Sequence, residues 1–138
     1  MFFRGDGVRR VKKHLIVFAI GGVGYGIIEL LWRGRTHWTM ILAGGICFII
    51  FTLVEEKMRR APILVKSALC AVGVTAVELI FGVIFNIILK MGVWDYSRQP
   101  LNILGQICPL YTALWGILSL IFLPLAGKIN LALSKNAT

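Results

Sequence analysis

Gly92 to Gln106 reads Gly-Val-Trp-Asp-Tyr-Ser-Arg-Gln-Pro-Leu-Asn-Ile-Leu-Gly-Gln, the one long polar and aromatic interruption in an otherwise very apolar second half of the chain. Apolar runs of membrane-spanning length stand on both sides of it, so the segment reads as a connection between two helices that cross a bilayer. In that position Trp94, Asp95, Tyr96, Ser97, Arg98, Asn102 and Gln106 each need a protein partner or water. The segment is therefore the first place to look for a functional surface, and the helices are its scaffold.

Composition agrees. Of 138 residues, 58% are hydrophobic and only 15% charged, and the mean hydropathy is +0.84, which leaves too little polar surface for a small soluble domain. The formal charge of +9 does not point to nucleic acid. Most of the basic residues lie in short runs beside apolar spans, which the positive-inside bias of membrane proteins explains. Cys47, Cys70 and Cys108 fall inside apolar runs without a paired spacing, so neither a disulfide framework nor a zinc site is expected.

In chain order, a basic segment ending at Lys13 precedes an apolar run that continues to Trp32 and closes in Trp-Arg-Gly-Arg rather than a small-residue cleavage site. The run is long enough to span, and it is read as a helix and not as a cleaved signal. The expected architecture is an all-α membrane protein with four transmembrane helices, at about His14–Trp32, Trp38–Val54, Ile63–Leu89 and Ile103–Leu125, with a polar outer loop over residues 90–102. Pro62 suits the first turn of the third helix, and Pro109 and Pro124 fall in the first turns and near the exit of the fourth. The charged run from Glu55 to Arg60 reads as a solvated loop at lipid headgroups, and Lys66 is placed to snorkel there. The tail from Lys128 reads as polar and frayed.

Eleven basic residues fall on the side of the termini: five before the first helix, then Lys57, Arg59, Arg60, Lys66, Lys128 and Lys135. Four, Arg33, Arg35, Lys90 and Arg98, fall on the other. The bias predicts a multi-pass protein of the cell membrane with both termini cytoplasmic. Gly24 to Leu30 and Gly73 to Leu79 each place a glycine five residues before a glutamate, a weak sign that the two antiparallel hairpins are repeats. Gly22 and Gly26, with Gly44 and Gly45, are expected to let helices approach closely, more within one chain than between copies.

Glu29 and Glu78 are the sharpest chemical signals, because an ionisable side chain at membrane depth costs about 2.5–3.5 kcal/mol on insertion scales unless it is paired, hydrated or protonated. Glu29 has Arg33 one turn later, in the favourable order for an ion pair. Glu78 has no basic neighbour within a turn, so its partner must come from another element. The predicted topology brings Glu29, Glu78, His37 and the start of the fourth helix to one side, where Asn86, Asp95, Tyr96 and Arg98 can close over a polar site. The candidate ligand- or ion-binding residues are Glu29, Arg33, Glu78, Asn86, Asp95, Tyr96, Asn102 and Gln106. Trp32, Trp38 and Trp94 read as an interfacial belt and Trp115 as core. No nucleotide-binding loop, metalloprotease motif or nucleophile elbow occurs, and no catalytic residue, metal or cofactor is expected.

Val93-Trp94-Asp95-Tyr96-Ser97, then Pro100-Leu101-Asn102, Gly105-Gln106-Ile107-Cys108 and Trp115-Gly116 carry a resemblance to the bacterial membrane family titled "Putative ABC-transporter type IV", or CmpB-like. The resemblance spans roughly Glu78 to Gly116, with a looser likeness before it. Members often carry an aromatic residue ahead of a glutamate in the first helix, similar to Tyr25 and Glu29 here at a different spacing. It implies a permease subunit of an ATP-driven transporter, although this chain supplies no ATPase and the family title names no substrate. The functional expectation is thus a permease-like transport component with an outward-facing acidic site for a small solute or ion. It would work in the lipid bilayer as a homo-oligomer or with another membrane subunit, with an ABC ATPase as a further candidate partner. The alternatives are an accessory or scaffold subunit and, less favoured, an intramembrane enzyme.

Overall fold

A computed structural model describes the backbone of residues 2–136 and the side chains of residues 7–135. Arg4, counted above among the basic residues, and the last residues of the tail lie outside the described side chains. The chain is an all-α membrane protein. Its helices are α1 (Phe2–Arg33), α2 (Trp38–Lys57), α3 (Ile63–Phe81) and α4 (Pro109–Asn136), and α3 continues as a seven-residue π-helix over Gly82–Ile88. All four are long and apolar enough to cross a membrane.

The helices run up and down in sequence. Lys13 lies 3.6 Å from Glu56, and Lys66 lies 3.3 Å from Glu55, at the end of the bundle that holds both termini. The four-residue turn after Arg33 and the segment between Ile88 and Pro109 lie at the other end, called the loop end below. Lipid tails are as apolar as leucine, so close backbone approach and hydrogen bonds, not water exclusion, hold such helices together. α1 and α2 supply the first: a Cβ on Gly21 would fall 2.3 Å from Phe48 Cβ, and one on Gly44 would fall 2.4 Å from Tyr25 Cβ. Gly22 and Gly45 meet Ile41 and Phe18 as tightly, whereas Gly26 makes only ordinary contact. α3 and α4 supply the second: the Ser67 hydroxyl donates to the Gly116 carbonyl at 2.7 Å, and the Thr75 and Thr112 hydroxyls meet at 2.8 Å. All four helices contribute to a core of Val17, Phe48, Phe51, Cys70, Val74, Leu123 and Ala126.

Three local readings change. The first helix starts well before His14, because the basic residues ahead of the apolar run are good helix formers and simply extend it. Helix α4 starts at Pro109, not near Ile103, and it passes through Pro124 to Asn136 instead of fraying after Leu125. Positive φ angles at Leu101, Leu104 and Gly105 preclude a helix there, and Pro109 suits a first helical position, where its missing N–H costs nothing. Lys66 does not reach outward to headgroups. It is 9% exposed and turns in to the Glu55 carboxylate, which satisfies both charges against the bundle.

The glycine contacts give a direct check. Gly21→Ala should lower the thermal midpoint in detergent by several degrees, since overpacking costs about 1–3 kcal/mol. Gly24→Ala, where a Cβ meets nothing within 4 Å, should leave the midpoint unchanged or slightly raised.

Candidate functional site

The segment between Ile88 and Pro109 folds into a compact plug on the loop end. Its own polar groups build it: Tyr96 N–H donates to the Gly105 carbonyl at 2.7 Å, and Ser97 N–H to Asp95 Oδ1 at 2.9 Å. The Asn102 amide donates to the carbonyls of Ser97 and Gln99, and its oxygen accepts from Gly105 N–H. Gly105 holds a left-handed φ of +69° that a side chain would strain. Val93 and Trp94 are buried against Met40, with Tyr25, Phe81, Phe85 and Tyr96 around them.

A polar seam joins the plug to the helices. Asn86 donates to Gln106 Oε1 at 2.8 Å and accepts from Val93 N–H at 2.7 Å. The Val93 carbonyl accepts from Arg33 Nη2 at 2.9 Å, and the Trp94 indole donates to the Gln106 carbonyl at 3.1 Å. The π-helical turn is what brings Asn86 to this seam. A wider turn re-aims side chains relative to an α-helix, and such turns are frequent at functional sites. Gly82, at its start, lies so close that a Cβ there would come within 2.5 Å of Gln106 Oε1.

Beneath the plug lie the two glutamates. Glu29 accepts from the Tyr25 hydroxyl at 3.0 Å and pairs with Arg33 at 3.3 Å, so both its oxygens are engaged. Glu78 accepts a hydrogen bond from the Trp115 indole. Among the described residues no basic side chain pairs with it. The Tyr25 and Trp115 rings lie 5.8 Å apart, bridging the two carboxylates. The indole N–H occupies one oxygen of the Glu78 side chain, which offsets part of the cost of holding a polar group at that depth.

An apolar cleft of about 150 Å³ runs from this aromatic pair down between α1 and α4. The two helices meet only lightly, and Ile20, Ile28 and Leu125 on its walls are 40%, 37% and 45% exposed on the bundle's outer face. Tyr25, Trp115 and Cys47 stand on its wall.

A family model titled "Putative ABC-transporter type IV" matches residues 17–136. The chain belongs to that family. No curated protein and no solved structure gives a significant match. In this ABC-transporter type IV chain the match covers both glutamates, the plug and the whole cleft.

Of the residues singled out from sequence, the structure brings Glu29, Arg33, Asn86 and Gln106 into one connected set, with Glu78 joined to it through the Tyr25 and Trp115 rings. Asp95 and Asn102 stand apart. Asp95 is exposed and closes a turn, and Asn102 is spent on three backbone groups of the plug. Tyr96 lies between, its ring stacked on Tyr111 at 4.4 Å. Burial pushes its phenol up, so it stays protonated. Trp115, read from sequence as core, turns out to be the partner of Glu78. The available signal was chemical: a buried indole N–H needs an acceptor, and Glu78 was the nearest unpaired one in the apolar spans.

The turn at Asp95 titrates in a known direction. The Ser97 N–H holds the carboxyl below its ordinary value, so the turn is stabilised above the usual aspartate pKa of about 3.9 and loses that support as pH falls through the lowered value. The Ser97 amide resonance should shift with an apparent pKa below about 3.9, and Asp95→Asn should abolish the titration; a midpoint at or above the ordinary value would contradict the contact.

Proposed function

We propose that the chain is the membrane-embedded, permease-like component of an ATP-driven transporter, with Glu78 as the coupling carboxylate of an intramembrane site shared with Glu29. The family supports the coarse reading. One observation carries the finer one: Glu78 is 8% exposed in the middle of an apolar helix, held by the Trp115 N–H and by no cation among the described residues. A carboxylate kept at that depth without a countercharge is suited to binding a transient positive charge, and such residues mark ion and substrate paths more often than structure. Glu29 is already neutralised by Arg33, so it tunes the field at Glu78 and anchors α1 to the plug.

Four helices with a packed core leave no wide pore, so transport requires further copies or another membrane subunit, and an ATPase partner supplies the energy. The test is affinity purification of the full chain from native membranes in mild detergent, with ATPase activity measured on the complex, beside complementation of a deletion strain. Glu78→Gln, nearly isosteric, should keep the complex assembled and its thermal midpoint within a few degrees while complementation is lost. Full complementation by Glu78→Gln would instead favour an accessory or scaffold role.

The charge bias supports a site under the outer face, with both termini in the cytoplasm. In a chain whose native cysteines are replaced, a cysteine at Ser97 should label with an impermeant thiol reagent on intact cells and one at Lys57 should not. The opposite pattern would turn the site toward the cytoplasm.

A further inference from the structure

We propose that the terminal end of the bundle binds a buried water molecule between the side-chain oxygen of Asn130 on α4 and the second oxygen of the Glu55 carboxylate on α2. The site lies at the opposite end of the bundle from the plug and does not rest on the transport reading. Asn130 supplies the need. It is 8% exposed, and its Oδ1 is buried without a hydrogen-bond partner among the described residues. An amide oxygen left unpaired in a buried place is costly, and native structures satisfy such groups with protein or with ordered water.

Position and room point to the same place. Glu55 spends Oε1 on the Lys66 ammonium at 3.3 Å, and its Oε2 is turned to α4, where a Cβ on Gly127 would fall 3.4 Å from it. The next atoms such a Cβ would meet, Glu55 Cδ and Cγ, lie at 3.7 and 3.8 Å. A methyl group would thus sit there at ordinary contact distances, and a water, which is smaller, has room to hydrogen-bond. Asn130 follows one turn later on α4, in a direction between those of Gly127 and of Ala126, which is buried in the core. Helical side chains lean toward the helix N-terminus, which carries the Asn130 amide back along that face toward Gly127.

A water in this space donates one hydrogen to Asn130 Oδ1 and the other to Glu55 Oε2, and its oxygen can accept from the buried Lys66 ammonium, which has donors to spare. Those are the partners a buried water requires. A sodium ion is less suited, because the ammonium already stands on the same carboxylate. The ion pairs at this end join α1 to α2 and α2 to α3, and the water extends that network to α4.

Two substitutions in the full chain, melted in detergent, read the water by the sign of their effect. Gly127→Ala puts a methyl into the space. In a dry site it should raise the thermal midpoint, because alanine is the better helix former, whereas displacing the water should lower the midpoint by several degrees. Asn130→Leu, similar in volume, removes the oxygen: it should raise the midpoint if that oxygen is unpaired, and lower it by several degrees if the water is lost with it. A crystal structure grown from lipid, at a resolution that shows ordered water, should place a water within hydrogen-bond distance of both oxygens, and the wild-type midpoint should be equal in sodium and choline chloride. A raised midpoint for either variant, an Asn130 amide nitrogen directly on Glu55 with no water between, or a midpoint that depends on sodium would each overturn the proposal. If a variant does not fold, the wild-type structure and the salt comparison still decide.

Discussion

The indole N–H of Trp115 on the Glu78 carboxylate is the contact around which the loop half of the bundle is arranged. In a bilayer an acidic side chain must find its partners inside the protein, and here the partner comes from the neighbouring helix. That single bond fixes the facing of α3 on α4 at this depth, as the Ser67 and Thr75 bonds fix it further down. It places the Trp115 ring against Tyr25 of α1, and Tyr25 in turn orients Glu29. Three helices are thereby set by one buried acidic side chain.

The two ends of the bundle treat charge differently. At the terminal end Glu55 and Glu56 are matched by Lys66 and Lys13. At the loop end Arg33 is divided between Glu29 and the Val93 carbonyl, and Glu78 is left with a neutral donor. The asymmetry is one of countercharge: three carboxylates are matched by basic side chains, and Glu78 is matched by an indole N–H.

The spans were legible because apolar runs of the required length admit few other readings, and α2 and α3 begin where composition placed them. Helix ends were less so. The start of α4 depended on left-handed residues at Leu101 and Leu104, positions that any L residue strains and that sequence does not advertise. The partnership of Arg33 with Glu29 could be read from spacing alone, one turn apart on one helix. The roles of Asp95 and Asn102 could not. Both look like ligands in a polar stretch, yet their oxygens go to backbone N–H groups two and three residues away, the ordinary use of such side chains in turns. Glu78 and Trp115, 37 residues apart, are joined by helix packing, which a single sequence does not display.

The Arg33 contact with the Val93 carbonyl spans 60 residues of chain, and the rest of the seam closes between Asn86, Val93 and Gln106. During synthesis the first hairpin, α1 with α2, can pack on its glycines as soon as both are inserted. Its contact with the plug must wait for α3 and the segment after it, since the Val93 carbonyl does not yet exist, although Glu29 on α1 can already pair with Arg33. The plug is thus made late in synthesis, and the seam that pins it to α1 closes only after most of the chain has been made.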